Sequence, residues 1–387
     1  MLKREKFAIF VEVTGPDGNV HGDIRTVRMA KQIKIKEIAA RAGVSPGTVD
    51  RVLHNRGNVS TASREAVERV LAEVKYRFNI HASAISLRKE YNIVAAIPTA
   101  VTGEYWGSIR KGIERAVEEY SDIRLNCTFA YYNQFDIYSC RSSFDEIAAQ
   151  NPDAVILGAT FVSEARRLCE LLEARKIPYV FVDSRIEQTR PIASFATEQS
   201  ACGHLCAKLL DAIAPPGSAF AIFNSKRIGN ENAYNMLARE EGFRDFFAGA
   251  PERVTKSEFS VLDPEEGERE VLRFLAENPR VRGIAVMNSR GHIIADILRR
   301  HGIQGVRLIS FDTTANNIKC INEGSMWAVL CQYPEMQGFQ AMQSIIGWLL
   351  YKRTEPAPHR NMPIGIVVRE NLPYHREFLL QEAELLP

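Results

Sequence analysis

The chain of 387 residues has no apolar run near the roughly 18 to 20 residues that a membrane span needs. The stretch Phe7-Ala8-Ile9-Phe10-Val11 is also shorter than the hydrophobic region of an export signal, so the cytoplasm is the expected compartment and no membrane partner is expected. Cysteine is sparse and unpatterned. Cys127, Cys140, Cys169, Cys202, Cys206, Cys320 and Cys331 are odd in number and scattered, which argues against a disulfide framework. Cys202 and Cys206 share one helix face with no second ligand pair near in sequence, so buried thiols are expected there and no metal. Ser-His-Asp arrangements, metal motifs and a Gly-rich loop after a strand are all lacking, so neither catalysis nor a cofactor is expected. Net charge is small too, 49 basic residues against 47 acidic. With 45% hydrophobic and 25% charged residues the chain is neither disordered, collagen-like nor a coiled coil, and its length suits two or three folded units.

The near-neutral total hides an asymmetry. Residues 31–90 carry 12 Lys and Arg against 6 Asp and Glu, whereas residues 91–387 carry 32 against 37. A short basic module on a slightly acidic body is the charge layout of a polyanion binder. Within it Ile35, Ile38, Ala39 and Ala42 fall at helical spacing and end at Gly43. Ser45 is placed to cap a second helix, with Pro46 at its first position. Val49, Val52 and Leu53 face inward there, leaving Gly47, Asp50, Arg51 and His54 as an outward polar stripe. A third helix follows Ser60, with Val67, Val70, Leu71 and Val74 inward. Two helices joined by a tight turn, the second with a polar face, form a helix-turn-helix able to enter a DNA major groove.

The run from Ile35 through Ala42-Gly43-Val44-Ser45-Pro46-Gly47-Thr48-Val49-Asp50-Arg51-Val52-Leu53-His54, followed by Gly57-Asn58-Val59-Ser60, resembles the DNA-binding headpiece of the lac repressor family. The resemblance implies groove-facing positions at Pro46, Gly47 and Arg51, and phosphate contacts at Lys34, Ser45, Thr48, His54, Asn58 and Ser60. Arg51 suits bidentate pairing to guanine, with a phosphate contact as its alternative. Asp50 departs from the family's Ser and either accepts from a cytosine amino group or restrains Arg51 or His54. Residues 78–90 match the family's hinge, in which Ile85 takes the place of the apolar minor-groove wedge.

Beyond Asn92 short apolar runs alternate with amphipathic ones, the pattern of parallel sheets with crossover helices. Strands are expected at residues 93–97, 125–130, 154–157, 179–182, 219–223, 284–287, 308–311 and 328–331. The body resembles the two-lobed type I periplasmic sugar-binding fold that this family carries. In that fold the ligand lies between the lobes at the strand ends. The resemblance implies effector-binding roles for Tyr105 and Trp106 in the loop after the first strand, and for Phe161, Asp183, Arg185, Asn232, Asn235, Asn288, Asp312 and Gln332. Ser289-Arg290 stands where relatives have a carboxylate, which keeps a negatively charged ligand open beside a neutral sugar.

The expected architecture is an all-α helix-turn-helix headpiece at 31–77, a hinge at 78–90, and a two-lobed α/β effector-binding and dimerisation domain at 91–387. Lobe 1 is expected at about 91–196 and 333–358, lobe 2 at about 197–331 and 359–387. Residues 1–30 have no family counterpart. They hold a candidate β-hairpin around Gly15-Pro16-Asp17-Gly18-Asn19, and Met29 is the expected native start. The expected activity is that of a regulator, a homodimer or tetramer binding operator DNA and a sugar or sugar derivative; the alternative is a solute-binding protein serving a transporter. If the basic module binds DNA, the logarithm of affinity should fall linearly with the logarithm of salt, by about 0.9 per phosphate neutralised. Titrations at several salt concentrations check this, and a flat response would exclude a phosphate-tracking interface.

Overall fold

The computed structural model describes residues 9–14, 20–25, 35–53, 59–73, 89–229, 233–352 and 359–375. It divides into two compact units, residues 1–79 and 80–387. The first contains an antiparallel hairpin of β1 (Ile9–Thr14) and β2 (Val20–Arg25), in register from Ile9 opposite Arg25 to Thr14 opposite Val20. The hairpin expected there is present; the turn residues between its strands lie outside the described residues.

The same unit carries α1 (Ile35–Ala42), α2 (Pro46–Leu53) and α3 (Thr61–Glu73). Their shared core is Ile38, Ala39, Val49, Val52, Val67 and Val70, the stripes that helical spacing predicts. Gly43 at φ +66° breaks α1, as a left-handed residue does after a helix end. Ser45 then caps α2, its hydroxyl oxygen accepting from the Thr48 N–H at 3.1 Å. Ser60 caps α3 in the same way, accepting from the Ser63 N–H at 3.2 Å.

The second unit has two sheets, one per lobe. In chain order lobe 1 runs β3 (Tyr91–Pro98), α4 (Tyr105–Glu119), β4 (Leu125–Tyr132), α5 (Ile137–Ala149), β5 (Ala154–Gly158), α6 (Val162–Ala174), β6 (Tyr179–Val182) and β7 (Ala193–Ala196). Lobe 2 follows with α7 (Gln199–Ile213), β8 (Ala219–Ser225), α8 (Tyr234–Phe246), β9 (Val254–Phe259), α9 (Pro264–Glu277), β10 (Val281–Val286), α10 (Gly291–Arg300), β11 (Arg307–Phe311), α11 (Ala315–Glu323) and β12 (Ala328–Cys331). The chain then returns to lobe 1 with α12 (Pro334–Tyr351) and ends on β13 (His359–Asn361) and β14 (Gly365–Val367).

The sheet orders, β4-β3-β5-β6-β7-β13 and β9-β8-β10-β11-β12-β14, are the same doubly wound pattern; every pairing is parallel except β12 with β14. All eight expected strands are present, and β7, β9, β13 and β14 are additional. Val254–Phe259 is an edge strand carrying Lys256 and Glu258, so its alternation is weak in sequence. The expected lobe boundary at 359 needs correction. His359–Asn361 pairs in parallel with β7 and so completes lobe 1, placing the last crossing at residues 362–364.

Close helix contact is built on glycine. The α7 and α8 backbones meet where a Cβ on Gly203 would lie 1.9 Å from the Arg239 carbonyl oxygen, and one on Gly242 would lie 1.9 Å from that of Ser200. No side chain fits at either position. Gly242→Ala should therefore force the helices apart and destabilise the body by roughly 1–3 kcal/mol, the usual range for overpacking. Urea unfolding followed by tryptophan fluorescence reads this, and an unchanged midpoint would mean that the helices can separate freely.

Candidate functional site

Polar side chains collect where the carboxyl ends of the two sheets face each other. After β6 and β11 the chain makes the same turn in both lobes, since Asp183 and Asp312 each take φ +65°. A left-handed Asp at a strand end costs backbone energy that the surrounding bonds must offset, and such outliers concentrate at functional sites. The Asp183 N–H donates to the Phe195 carbonyl and the Asp312 N–H to that of Leu330, both at 2.9 Å, so each turn is tied to the next strand of its sheet.

Asp183 accepts from the Tyr105 hydroxyl at 2.6 Å and from the Asn235 amide at 2.8 Å. Asp312 accepts from the Gln332 amide at 3.2 and 3.1 Å. Beneath them lies Arg239, only 3% exposed. Its Nε donates to Gln199 Oε1, one Nη to the Met287 carbonyl and the other to Gln332 Oε1, each at 2.7 Å, and the guanidinium lies 3.8 Å from the centre of the Phe311 ring. Tyr105, Asp183, Asn235, Arg239, Asp312 and Gln332 line a cavity of about 70 Å³ together with Trp106, Gln134, Thr160, Arg227, Asn288 and Ser289.

The lobes touch around that cavity. Arg227 of lobe 2 donates to the Thr160 carbonyl at 2.8 Å and the Gln134 carbonyl at 2.7 Å, over the Phe161 ring at 3.7 Å. Ile228 N–H reaches the Phe135 carbonyl at 2.7 Å, and Ala315 N–H reaches that of Gly103 at 2.9 Å. Arg290 pairs with Glu104 at 2.7 Å. Arg290 is therefore engaged across the lobes and does not line the cavity, which removes the sequence argument for an anionic ligand built on Ser289-Arg290.

Of the residues expected to bind effector, Tyr105, Trp106, Asp183, Asn235, Asn288, Asp312 and Gln332 line this cavity. Tyr105 and Trp106 open α4 and are buried, where a loop position was expected. The loop ends at Glu104, and the two rings meet edge to face at 5.2 Å while packing into the lobe. Phe161 is buried beneath Arg227 and supports the wall from behind. Arg185 is exposed and lines an adjoining cavity of about 170 Å³ with Glu187, Tyr234 and His359, which shares Asp183 and Asn235 with the first. Asn232 lies outside the described residues, as do Lys34, His54, Asn58 and Ile85. Pro46, Gly47 and Arg51 are exposed on α2, and Thr48 and Asp50 are half-buried. Ser45 and Ser60 both hold helix starts, with their hydroxyls engaged by Thr48 and Ser63.

Sequence reasoning missed Arg239, Arg227, Gln134 and Thr160. Arg239 left a signal, since Met236, Arg239 and Phe243 form the buried stripe of α8, and a charge on an apolar stripe calls for a buried partner. The other three carry no local pattern.

Comparison with known proteins follows this geometry. Residues 34–79 match the family model for bacterial regulatory proteins of the lacI family, and residues 94–349 match that for a periplasmic binding protein domain. The chain belongs to the lacI family of regulators. It is 25% identical to the HTH-type transcriptional regulator DegA of Bacillus subtilis over 72% of this chain and 81% of that protein. It is 28% identical to the maltose regulon regulatory protein MalI of Escherichia coli over 39% of this chain and 43% of that protein. Among solved structures, a Bacteroides fragilis protein described as a LacI transcriptional regulator superposes with TM-score 0.69 at 26% identity, covering 74% of this chain and 99% of that one. The two-part architecture is thus that of a lacI-family transcriptional regulator and not of an enzyme. The headpiece sets it apart from a transporter's binding protein.

Burial also sets a pH dependence. It holds the Asp312 carboxyl at about 7, up from 3.8, with the neighbouring Asp183 charge adding to the shift and Arg239 opposing it; Asp183 is raised in the same direction, again by burial. Between those values the folded protein keeps a proton that the unfolded chain releases. This contribution is complete below about pH 4 and is lost as pH rises through about 7. Asp312→Asn should shrink the difference in urea midpoint between pH 5 and pH 8, while Asp183 keeps a residual slope of the same sign. An undiminished difference would place the titration elsewhere.

Proposed function

We propose that the chain acts as a cytoplasmic homodimer whose two headpieces read an inverted repeat of operator DNA, and whose interlobe cavity binds a small sugar-type effector that sets operator affinity. The observation that carries the effector half is the lining itself. Both lobes contribute, Tyr105 and Asp183 from one side and Asn235, Asp312 and Gln332 from the other, so that occupancy and lobe closure are energetically linked. Oxygens and amides in alternation suit a polyhydroxylated molecule, in keeping with a relative named for the maltose regulon.

In this reading Arg51, exposed on α2, reads one base pair, with Pro46 and Gly47 allowing close approach. Ser45, Thr48 and Ser60, with Lys34, His54 and Asn58, hold phosphates, and Ile85 wedges the minor groove. Asp50 restrains Arg51 or accepts from a cytosine. An effector coupling of about 1–3 kcal/mol would change operator occupancy severalfold.

Two variants separate the halves. Arg51→Ala should cost about 1–3 kcal/mol of operator binding, concentrated at one base pair of each half-site. Equal losses on every sequence would make Arg51 a phosphate contact. Asn235→Ala removes the amide that joins lobe 2 to Asp183 and should blunt the effector's influence in a gel shift while retaining sequence-specific operator binding. A variant that loses operator binding and effector response together would place Asn235 in the folding core instead.

A further inference from the structure

One side of the cavity is closed by a short stretch of lobe 2 that follows β8. It starts from a fixed point at Lys226, whose N–H donates to the Phe259 carbonyl at 2.9 Å and whose ammonium pairs with Glu266 at 3.1 Å and with Glu270. The next residues lie on lobe 1. Arg227 sets its guanidinium over the Phe161 ring and donates to the Thr160 and Gln134 carbonyls. Ile228 adds a two-way backbone bridge, its N–H donating to the Phe135 carbonyl at 2.7 Å and its carbonyl accepting from the Ile137 N–H at 3.4 Å. Gly229 follows at φ +96°, so near lobe 1 that a Cβ on it would lie 2.3 Å from Ile137 Cγ2. A side chain there would lift the stretch off its seat.

The seat is also the cavity wall, since Arg227, Gln134, Phe135 and Thr160 all line it. The enclosed volume of about 70 Å³ is far below the roughly 300–1,000 Å³ of small-molecule sites, so entry requires part of the wall to move. Lifting residues 226–229 breaks contacts made within four residues. Parting the lobes breaks those as well as the Arg290–Glu104 pair and the bond from the Ala315 N–H to the Gly103 carbonyl. The local opening is the smaller cost, and openings of this kind precede global ones. Resting on the reading of this cavity as the effector site, we infer that residues 226–229 are a flap that gates it, latched by Arg227, and that the flap lifts while the lobes keep their mutual contacts.

The test needs no effector. Hydrogen exchange of the full chain reads the flap at the Ile137 and Ile228 amides and the lobe contact at the Ala315 amide, which opens a helix and so has no partner within it. Arg227→Ala should speed exchange at Ile137 and Ile228 about tenfold or more and leave Ala315 protected. Gly229→Ala, which removes no polar group, should give the same pattern by steric force. Trp106 supplies an independent readout, being 4% exposed, on the same cavity and bonded through Nε1 to Gln134 at 3.3 Å. With Trp327→Phe and Trp348→Phe as background, acrylamide quenching of Trp106 should rise severalfold in Arg227→Ala, circular dichroism serving as the control for folding. Unchanged exchange at Ile137 and Ile228 in either variant overturns the inference. Equal loss of protection at Ala315 also overturns it, because the lobes would then part as whole bodies. The effector reading is decided separately, by the Asn235→Ala gel shift.

Discussion

The buried guanidinium of Arg239 is the interaction on which the cleft depends. A charge with 3% exposure survives inside a protein only if its donors are met and an opposing charge lies near. Gln199, Gln332 and the Met287 carbonyl meet the donors, and Asp183 and Asp312 supply the field. Two of those partners sit beside lobe crossings. Gln332 follows β12 where the chain passes to α12, and Gln199 opens α7 just after the crossing from β7. Thr197 joins them, donating to Gln332 at 3.0 Å and accepting from Gln199 at 3.0 Å. One side chain therefore links the cavity floor to the two crossing segments that carry Gln199 and Gln332.

The glycine contact between α7 and α8 serves the same end. Gly203 lies against the Arg239 carbonyl, so the helix carrying the guanidinium is seated at backbone distance from the helix carrying Gln199. Lobe 1 repeats the arrangement, with Gly112 of α4 against the Glu335 carbonyl and Gly338 of α12 against that of Ile109. In each lobe a helix that reaches the cleft is thus fixed by direct backbone contact, which permits little sliding. Between the lobes the contacts are the crossings and the bonds formed by Arg227, Ile228, Arg290 and Ala315.

Much of this was legible in the sequence. Helical spacing of Ile38, Ala39, Val49 and Val52, the left-handed Gly43, and the caps Ser45 and Ser60 are local features, each acting over a turn or less, and the headpiece follows from them. Strand ends were legible for a similar reason. A polar residue directly after an apolar run, as at Asp183, Asp312 and Gln332, must stand at the rim of a parallel sheet. Arg185 looked equivalent to Asp183, yet Asp183 itself is left-handed and buried whereas Arg185 is exposed, and no pattern in the sequence marks the difference.

Only the tertiary structure decided which polar groups share a space. Arg239 and Gln332 are 93 residues apart, Tyr105 and Asp183 are 78 apart, and Arg290 meets Glu104 across 186. Such pairings depend on how two sheets come to face each other, which spacing along the chain does not encode. The last strand shows the same limit. His359–Asn361 reads as a short polar stretch, and it joins lobe 1 because the open edge beside β7 offers unpaired backbone groups. The sequence by itself determined the helices, the strands and the polar residues at their ends, because hydrophobic period and capping act between neighbours. The packing of the two lobes decided the rest, turning Arg290 to an ion pair, Arg227 to a strap and Arg239 to the floor of the cleft, because buried charge is settled by whatever long-range contact brings close.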